Sequence, residues 1–165
     1  MKCVLLVRHA KSDWSADTDD FNRPLNERGK RDAPIMAERL MKRNFKIDAL
    51  VSSPARRALK TARIFADHLG MNKEHIILNE QLYLPPPSKF FEVLQSLDDK
   101  MNTIAVFSHN NGITEFANSL GIALIDNMPT CSIFAFKANT NSWSDLRDVN
   151  KEFLFFDYPK KMSEQ

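Results

Sequence analysis

The feature that most constrains the fold of this chain is the alternation of short apolar runs with longer segments of helical period. Cys3–Val7, Ala49–Val51 and Thr103–Phe107 are nearly continuous apolar runs, which are typical of strands buried on both faces of a parallel sheet. Apolar residues three or four positions apart predict amphipathic helices elsewhere. These helical stripes comprise Ala58, Ala62, Phe65 and Leu69, then Phe90, Leu94 and Leu97, then Ile113, Phe116, Ala117 and Leu120. This order of elements predicts an α/β layer sandwich with a mainly parallel sheet.

Three further segments complete the predicted order of elements. Asn26–Phe45 is expected to form a helix capped by Asn26, although Pro34 must start, kink or interrupt it. Ser132–Lys137 and Glu152–Phe156 are predicted to be late strands, either of which can lie antiparallel at an edge of the sheet.

The composition is that of an ordinary globular chain, with 165 residues, 43% hydrophobic residues and a net charge of +2. We expect one domain over residues 1–158 and a loose polar tail over 159–165. Cys3 and Cys131 lie too far apart to indicate a disulfide framework or a zinc site. No apolar run approaches the roughly 18–20 residues of a membrane span. We therefore expect a cytoplasmic protein that binds neither nucleic acid nor a membrane, and its oligomeric state stays open.

Basic and imidazole side chains follow each of the three predicted parallel strands. Arg8-His9 follows the first strand, Arg56-Arg57 lies shortly after the second, and Ser108-His109 ends the third. Because the carboxyl ends of parallel strands meet at one edge, where ligands bind, we expect these side chains to converge. Arginine donors match phosphate oxygens, and a neutral imidazole held at one nitrogen can attack phosphorus with the other. The sequence therefore predicts phosphoryl transfer through a phosphohistidine intermediate.

No motif in the sequence points to a metal or an organic cofactor. The chain has no HExxH segment, no GxGxxG segment and no GxxxxGK[ST] segment, so a zinc hydrolase, a dinucleotide-binding fold and a P-loop are not supported. We expect a site without metal and without cofactor.

The same strand ends resemble the signature motifs of the histidine phosphatase superfamily. Arg8-His9 resembles its RHG signature, with Ala10 in place of the glycine, and the stretch to Trp14 resembles the small SixA-like phosphohistidine phosphatase branch. Further matches are Arg23–Gly29 with PLTxxG, Ser53–Ala62 with SPxxRAxQTA, Phe107–His109 with the strand-end serine-histidine, and Pro129–Ser132 with a small-residue turn. The resemblance implies a three-layer, phosphoglycerate mutase-like fold with helices on both faces of the sheet.

The resemblance also implies roles for individual residues. His9 would be the nucleophile and Arg8 a phosphate clamp. Arg57 would be the second clamp rather than its neighbour Arg56, because the family's arginine directly precedes alanine. His109 would be the second histidine, protonated and bound to a phosphoryl oxygen.

Two further residues are implied by segments that resemble mutase-like members. Ser15 falls where those members carry a phosphate-touching asparagine. Glu80, within Leu78–Tyr83, is the expected proton donor, although SixA-like enzymes depend less on such a group. The reason is chemical, because an imidazole leaves phosphorus with less help from an acid than an alkoxide does.

The favoured substrate is a phosphohistidine on a protein, hydrolysed through phospho-His9. Only about twenty residues separate Glu80 from the strand at Thr103, which leaves little room for a lid over the site. One alternative is a general small-metabolite or acid phosphatase on the same scaffold, whose partner would be a small phosphorylated molecule. Another is a non-catalytic module that binds phospho-ligands. The presence of His9 argues against that module, because binding needs arginines but no nucleophile.

Overall fold

The protein is described by a computed structural model over residues 1–161, and its centre is one six-stranded sheet. The strands are β1 (Lys2–Arg8), β2 (Ala49–Ser52), β3 (Ile77–Leu78), β4 (Thr103–Ser108), β5 (Ile133–Ala138) and β6 (Lys151–Asp157). Their order across the sheet is β3-β2-β4-β1-β5-β6. The β3-β2, β2-β4 and β4-β1 pairs are parallel, whereas β5 and β6 are joined in antiparallel pairs at the other edge. The predicted α/β fold with a mainly parallel sheet is confirmed.

The helices cover both faces of the sheet. They are α1 (Glu27–Lys42), α2 (Arg56–Leu69), α3 (Pro87–Gln95) and α4 (Gly112–Ser119). The buried residues of β1 alternate between two apolar clusters. Leu5 and Val7 pack in the cluster that contains α1 and α2, and Val4 and Leu6 pack in the cluster that contains α3 and α4. The continuous apolar run of β1 therefore follows from its burial between two helical layers.

The sequence prediction for the start of α1 is confirmed, whereas Pro34 neither starts nor interrupts the helix. Asn26 caps the helix and its side chain accepts a hydrogen bond from the backbone N–H of Gly29 at 2.9 Å. The helix continues through Pro34 instead of being interrupted. Proline lacks the N–H that would bond to the Lys30 carbonyl, and packing of the apolar face outweighs this loss.

The last two strands extend the sheet beyond β1, and the chain end contacts α1. Both late strands form and both are antiparallel to their neighbours. Arg39 of α1 donates a hydrogen bond to the carbonyl of Pro159 at 3.3 Å. Of the tail expected over 159–165, residues 162–165 lie outside the described part of the chain. Within residues 1–161, no helix is long and apolar enough to cross a membrane.

Candidate active site

A cavity of about 190 Å³ lies at the carboxyl ends of the parallel strands. β1 ends at Arg8 and β4 ends at Ser108, so the next residue of each, His9 and His109, enters the cavity. Arg57 reaches it from the first turn of α2, the helix that follows β2. The full lining is Arg8, His9, Lys11, Ser12, Trp14, Asp20, Arg23, Arg57, Leu84, His109, Asn110 and Thr130. The structure thus brings together four of the residues that the sequence nominates.

The orientation of His9 is set by hydrogen bonds at both ring nitrogens. Nδ1 lies 2.7 Å from the backbone carbonyl of Ala10, and because a carbonyl only accepts, Nδ1 carries the proton. Nε2 accepts a hydrogen bond from Nε of Arg57 at 3.4 Å. Burial, together with the nearby arginine charges, lowers the pKa of His9 to about 3. At neutral pH the ring is therefore neutral, with a lone pair on Nε2.

The backbone around His9 is fixed by a contact from a distant turn. The backbone N–H of Cys131 donates to the carbonyls of Arg8 and His9, at 3.0 Å each. Ala10 is fully buried, and its N–H donates to Oγ1 of Thr61 at 3.0 Å. Positive φ angles occur at three described residues other than glycine, and Ala10 is not one of them. Alanine therefore fits here without backbone strain, although the related signature has glycine at this position.

Arg57 is almost fully buried, and its guanidinium donates three hydrogen bonds to residues of the cavity. Its Nη1 donates to the carbonyl of Asp20 at 2.6 Å, and its Nη2 donates to the carboxylate of Asp20 at 3.1 Å. The same carboxylate accepts from Arg23 Nη1 at 2.7 Å and from the hydroxyl of Tyr83 at 2.5 Å. Burial alone would raise the pKa of Asp20, but these hydrogen bonds outweigh it and hold the pKa well below its usual range. Asp20 is therefore an ionised acceptor at neutral pH.

His109 lies beside His9, with the two ring centroids 5.2 Å apart. Its Nε2 is hydrogen bonded to Oγ of Ser53 at 2.8 Å, so the serine that follows β2 positions the second histidine. Burial, followed by the proximity of His9 and Arg57, lowers the pKa of His109 well below its usual value. The ring is neutral in the protein alone, and the protonated form expected from the resemblance requires an added negative charge nearby.

Two buried nitrogens of the cavity lack a hydrogen-bond partner among residues 1–161. They are Nε of Arg8 and Nδ1 of His109. Arg8 is held at its other end, where Nη1 donates to the carbonyl of Met128 at 2.7 Å. Buried nitrogens without partners are uncommon in folded proteins and call for an explanation. Two such nitrogens in a cavity rich in arginine indicate a site for an oxyanion.

Two predicted residues do not reach the cavity. Ser15 is exposed and its hydroxyl donates to the carboxylate of Asp13 at 2.5 Å. Glu80 is exposed at the start of the 3₁₀ helix Glu80–Leu82, which follows the edge strand β3. Neither residue lines the cavity. The local turn at Ser15 and the edge position of Glu80 direct both side chains elsewhere.

Several residues of the cavity were not singled out by the sequence. Trp14 is 73% exposed, and the Arg23 guanidinium carbon lies 3.6 Å from the centre of its ring. Nε of Arg23 also donates to Oγ of Ser12 at 2.9 Å. Asp20 connects this cluster to Arg57. The available signal was their position in or beside the loop after β1, because contacts within and between loops have no periodic pattern in the sequence.

The N-terminal part of the chain is similar to a known protein family. Residues 4–82 match the model described as histidine phosphatase superfamily (branch 1). An uncharacterized chloroplastic protein of Arabidopsis thaliana is 29% identical over 86% of this chain and 69% of its own length. The uncharacterized phosphatase PhoE of Bacillus subtilis is 36% identical over 43% of this chain. The chain spans 37% of the length of PhoE. It spans 30% of the length of the mitochondrial serine/threonine-protein phosphatase Pgam5 of Drosophila sechellia, to which it is 32% identical. The family and these relatives support a phosphatase, which is a hydrolase.

Solved structures share the fold over nearly the whole chain. A structure described as a phosphohistidine phosphatase SixA from Agrobacterium tumefaciens is 21% identical, with a TM-score of 0.78 over 96% of this chain and 98% of that one. A protein histidine phosphatase SixA in complex with tungstate is also 21% identical, with a TM-score of 0.80 over 95% of this chain and 97% of that one. Residues 4–82 thus match the histidine phosphatase superfamily model, and the chain shares the fold of the two SixA structures.

Proposed function

We propose that the chain hydrolyses phosphohistidine on proteins through a covalent phosphoryl group on Nε2 of His9. The observation that carries the proposal is the hydrogen bonding of this imidazole. The Nδ1–H of His9 is committed to the Ala10 carbonyl, which leaves the lone pair on Nε2 beside the Arg57 guanidinium. An imidazole in this tautomer is a nucleophile for a phosphoryl group held by that arginine.

In the first step, the Nε2 lone pair forms a bond to phosphorus while the bond from phosphorus to the substrate imidazole breaks. The leaving imidazole keeps the bonding electrons and gains a proton from solvent. In the second step, water attacks phosphorus, the bond to Nε2 breaks, and His9 regains its lone pair as phosphate and a proton leave. Arg8 and Arg57 stabilise the charge on the equatorial oxygens in both steps.

His109 completes the phosphoryl site in this proposal. A phosphoryl dianion beside its ring raises the pKa of the imidazole through Coulomb attraction. The protonated ring then donates from Nδ1, a nitrogen without a protein partner in the described chain, to a phosphoryl oxygen. Ser53 holds the opposite nitrogen and so fixes the direction of this donor.

The acid-base character of the cavity supports an imidazole as the leaving group. Among residues 1–161, Asp20 is the single carboxylic residue in the cavity lining, and its lowered pKa makes it ionised rather than a proton donor. An alkoxide leaving from a phosphate ester needs a general acid more than an imidazole does. The cavity is also smaller than the roughly 300–1,000 Å³ of typical small-molecule pockets, which suits a single phosphorylated side chain.

The experiment compares a histidine-phosphorylated carrier protein with phenyl phosphate and with sugar phosphates. We expect kcat/KM for the phosphoprotein to exceed that for each ester by at least about tenfold, equivalent to 1.4 kcal/mol in transition-state free energy. A preference for sugar phosphates would contradict the substrate assignment and would favour a small-metabolite phosphatase. His9→Ala separates an enzyme from a binding module, because the variant should lose phosphate release while keeping affinity for inorganic phosphate.

A further inference from the structure

A second groove, of about 450 Å³, lies beside the catalytic cavity between α1 and α2. Four cationic side chains line it, and Phe21 and Leu59 contribute apolar surface. The cations are Lys30, Arg56, Lys60 and Arg63. None of the described residues that line this basic groove is acidic, so no lining side chain offsets the positive charge of the four cations.

Three of these cations lie along one exposed face of α2. The three cations are spaced four and three residues apart, so each lies about one helical turn from the next. They are Arg56, Lys60 and Arg63. Within residues 1–161, none of the three forms an ion pair within 4.0 Å. Like charges at this spacing destabilise a helix. An acidic ligand in the groove relieves this repulsion.

The basic groove and the catalytic cavity share a wall. Asp20 and Arg57 line the cavity. Their sequence neighbours Phe21 and Arg56 line the groove. The backbone N–H of Arg56 donates to the carbonyl of Phe21 at 3.0 Å, which holds this wall together. A chain whose phosphorylated side chain enters the cavity can therefore extend over the groove.

We propose that the basic groove binds an acidic segment of the protein substrate, adjacent in sequence to its phosphohistidine. This inference rests on the proposed function, because it requires a protein substrate. Carboxylates of the segment pair with the α2 cations, and its apolar side chains pack on Phe21 and Leu59. The chain carries a net charge of only +2, so the local excess of positive charge favours a short acidic peptide over an extended polyanion.

The first test is binding, which does not require turnover. Two labelled, unphosphorylated histidine peptides are compared by fluorescence anisotropy, one with flanking Asp and Glu and one with Asn and Gln at the same positions. We expect the acidic peptide to bind about tenfold more tightly at low salt, as several surface ion pairs of up to 1 kcal/mol each allow. K60E/R63E should abolish the difference, and the milder K60Q/R63Q should reduce it.

The matched control is K46E/K100E, which changes the net charge equally. Both lysines are exposed. They precede β2 and β4 and so lie near the amino ends of these strands, whereas the cavity lies at the carboxyl ends. This variant should keep the preference for the acidic peptide. Equal binding of the two peptides to the wild-type protein, or equal loss in both double variants, would overturn the assignment of the groove. Tighter binding of an oligonucleotide of equal charge would overturn it as well.

The second test is turnover of the same two peptides after histidine phosphorylation. K60E/R63E should lower kcat/KM for the acidic phosphopeptide about tenfold and leave that for phenyl phosphate within twofold. Phosphate release from both phosphopeptides at equal rates would overturn the groove assignment alone. Binding preference without release from either phosphopeptide would overturn the proposed substrate and leave the groove as an acidic-peptide site.

Discussion

The two walls of the catalytic cavity differ in burial and in how they are held. The inner wall, defined as His9, Arg57 and His109, is 6%, 2% and 1% exposed. The outer wall, defined as Trp14 and Asp20, lies in the loop after β1, and Trp14 is 73% exposed. Contacts from β2, α2 and the turn at residue 131 fix the inner wall. The difference indicates that the proposed catalytic residues are preformed, beside a wall that can adjust to a ligand.

The carboxylate of Asp20 is the main connection between the two walls. It accepts from Arg57 of the inner wall and from Arg23 and Tyr83, which lie outside it. In the proposed mechanism, a phosphoryl group takes the same Arg57 donors. We therefore expect substrate to compete with Asp20 for Arg57, and the outer wall to respond to occupation of the site.

The largest effect on activity is expected from replacing Arg57, the arginine of the inner wall. Arg57→Ala should lower kcat/KM for phenyl phosphate by about 10²- to 10³-fold, because it removes charge-assisted donors to the equatorial oxygens. Arg56→Ala is the matched control and should change this value less than about twofold, as expected for an exposed charge outside the cavity. Equal losses in the two variants would contradict the assignment of Arg57 as the clamp.

The inner wall should also dominate the dependence of stability on pH. The pKa of His9 in the folded protein is lowered to about 3, so between this value and the ordinary 6.5 the unfolded chain binds the proton and the folded chain does not. Its stabilising contribution is thus present above pH 6.5 and falls as the pH decreases. From pH 6.5 to 5 we expect His9 to account for a loss of about 2 kcal/mol in the free energy of unfolding. His109, whose pKa burial also lowers, adds to the loss in the same range.

Urea denaturation of the wild-type protein and of His9→Gln across this pH range measures the effect. The variant should show a shallower decrease, because glutamine does not titrate. Asp20, whose pKa is also lowered, contributes in a different window, since its stabilisation is lost only below the ordinary pKa of about 4 for aspartate. Identical pH profiles for the two proteins would show that His9 is not buried in its neutral form.

A smaller effect is expected at the connection between the walls. Asp20→Asn should lower the inhibition constant of inorganic phosphate about twofold to fivefold, because an anion no longer competes with the carboxylate for Arg57. Titration of phosphate against phenyl phosphate hydrolysis gives this constant. An unchanged or higher inhibition constant would mean that Asp20 orients Arg57 for phosphate rather than competing with it.

The smallest effects are expected at the two nominated residues outside the cavity. Glu80→Gln and Ser15→Ala should each leave kcat/KM for a phosphohistidine substrate within about twofold, as surface substitutions usually do. Assays with phenyl phosphate in parallel test whether an ester requires Glu80. A loss beyond tenfold with the phosphohistidine substrate in either variant would place that residue in the catalytic set.

The contrast between the walls also explains how much the sequence could predict. The residues of the inner wall follow directly from strands or begin a helix, so a correct order of elements brings them to one edge of the sheet. Two of the three partners of the Asp20 carboxylate, Arg57 and Tyr83, lie 37 and 63 residues away. Such contacts between loops have no periodic signal in a sequence. The exposed position of Trp14, which we could not predict, has the same origin.

The elements of the fold also differ in how far local sequence patterns predict them. The buried strands and the Asn26 cap have clear local patterns, and they form as predicted. The edge strand β3 has only two residues, both exposed, and although both are apolar, so short a run does not distinguish a strand from a loop. Continuation of α1 through Pro34 depends on packing against the sheet, which outweighs the local preference of proline.

The most direct test of the central claim is identification of the phosphorylated residue during turnover. The protein is mixed with a histidine-phosphorylated carrier protein, quenched rapidly in alkali and mapped by peptide mass spectrometry. We predict an acid-labile phosphoryl group on the peptide that contains His9, and its absence in His9→Ala. Phosphate release by His9→Ala at the wild-type rate, or a phosphoryl group on His109 instead, would contradict the account.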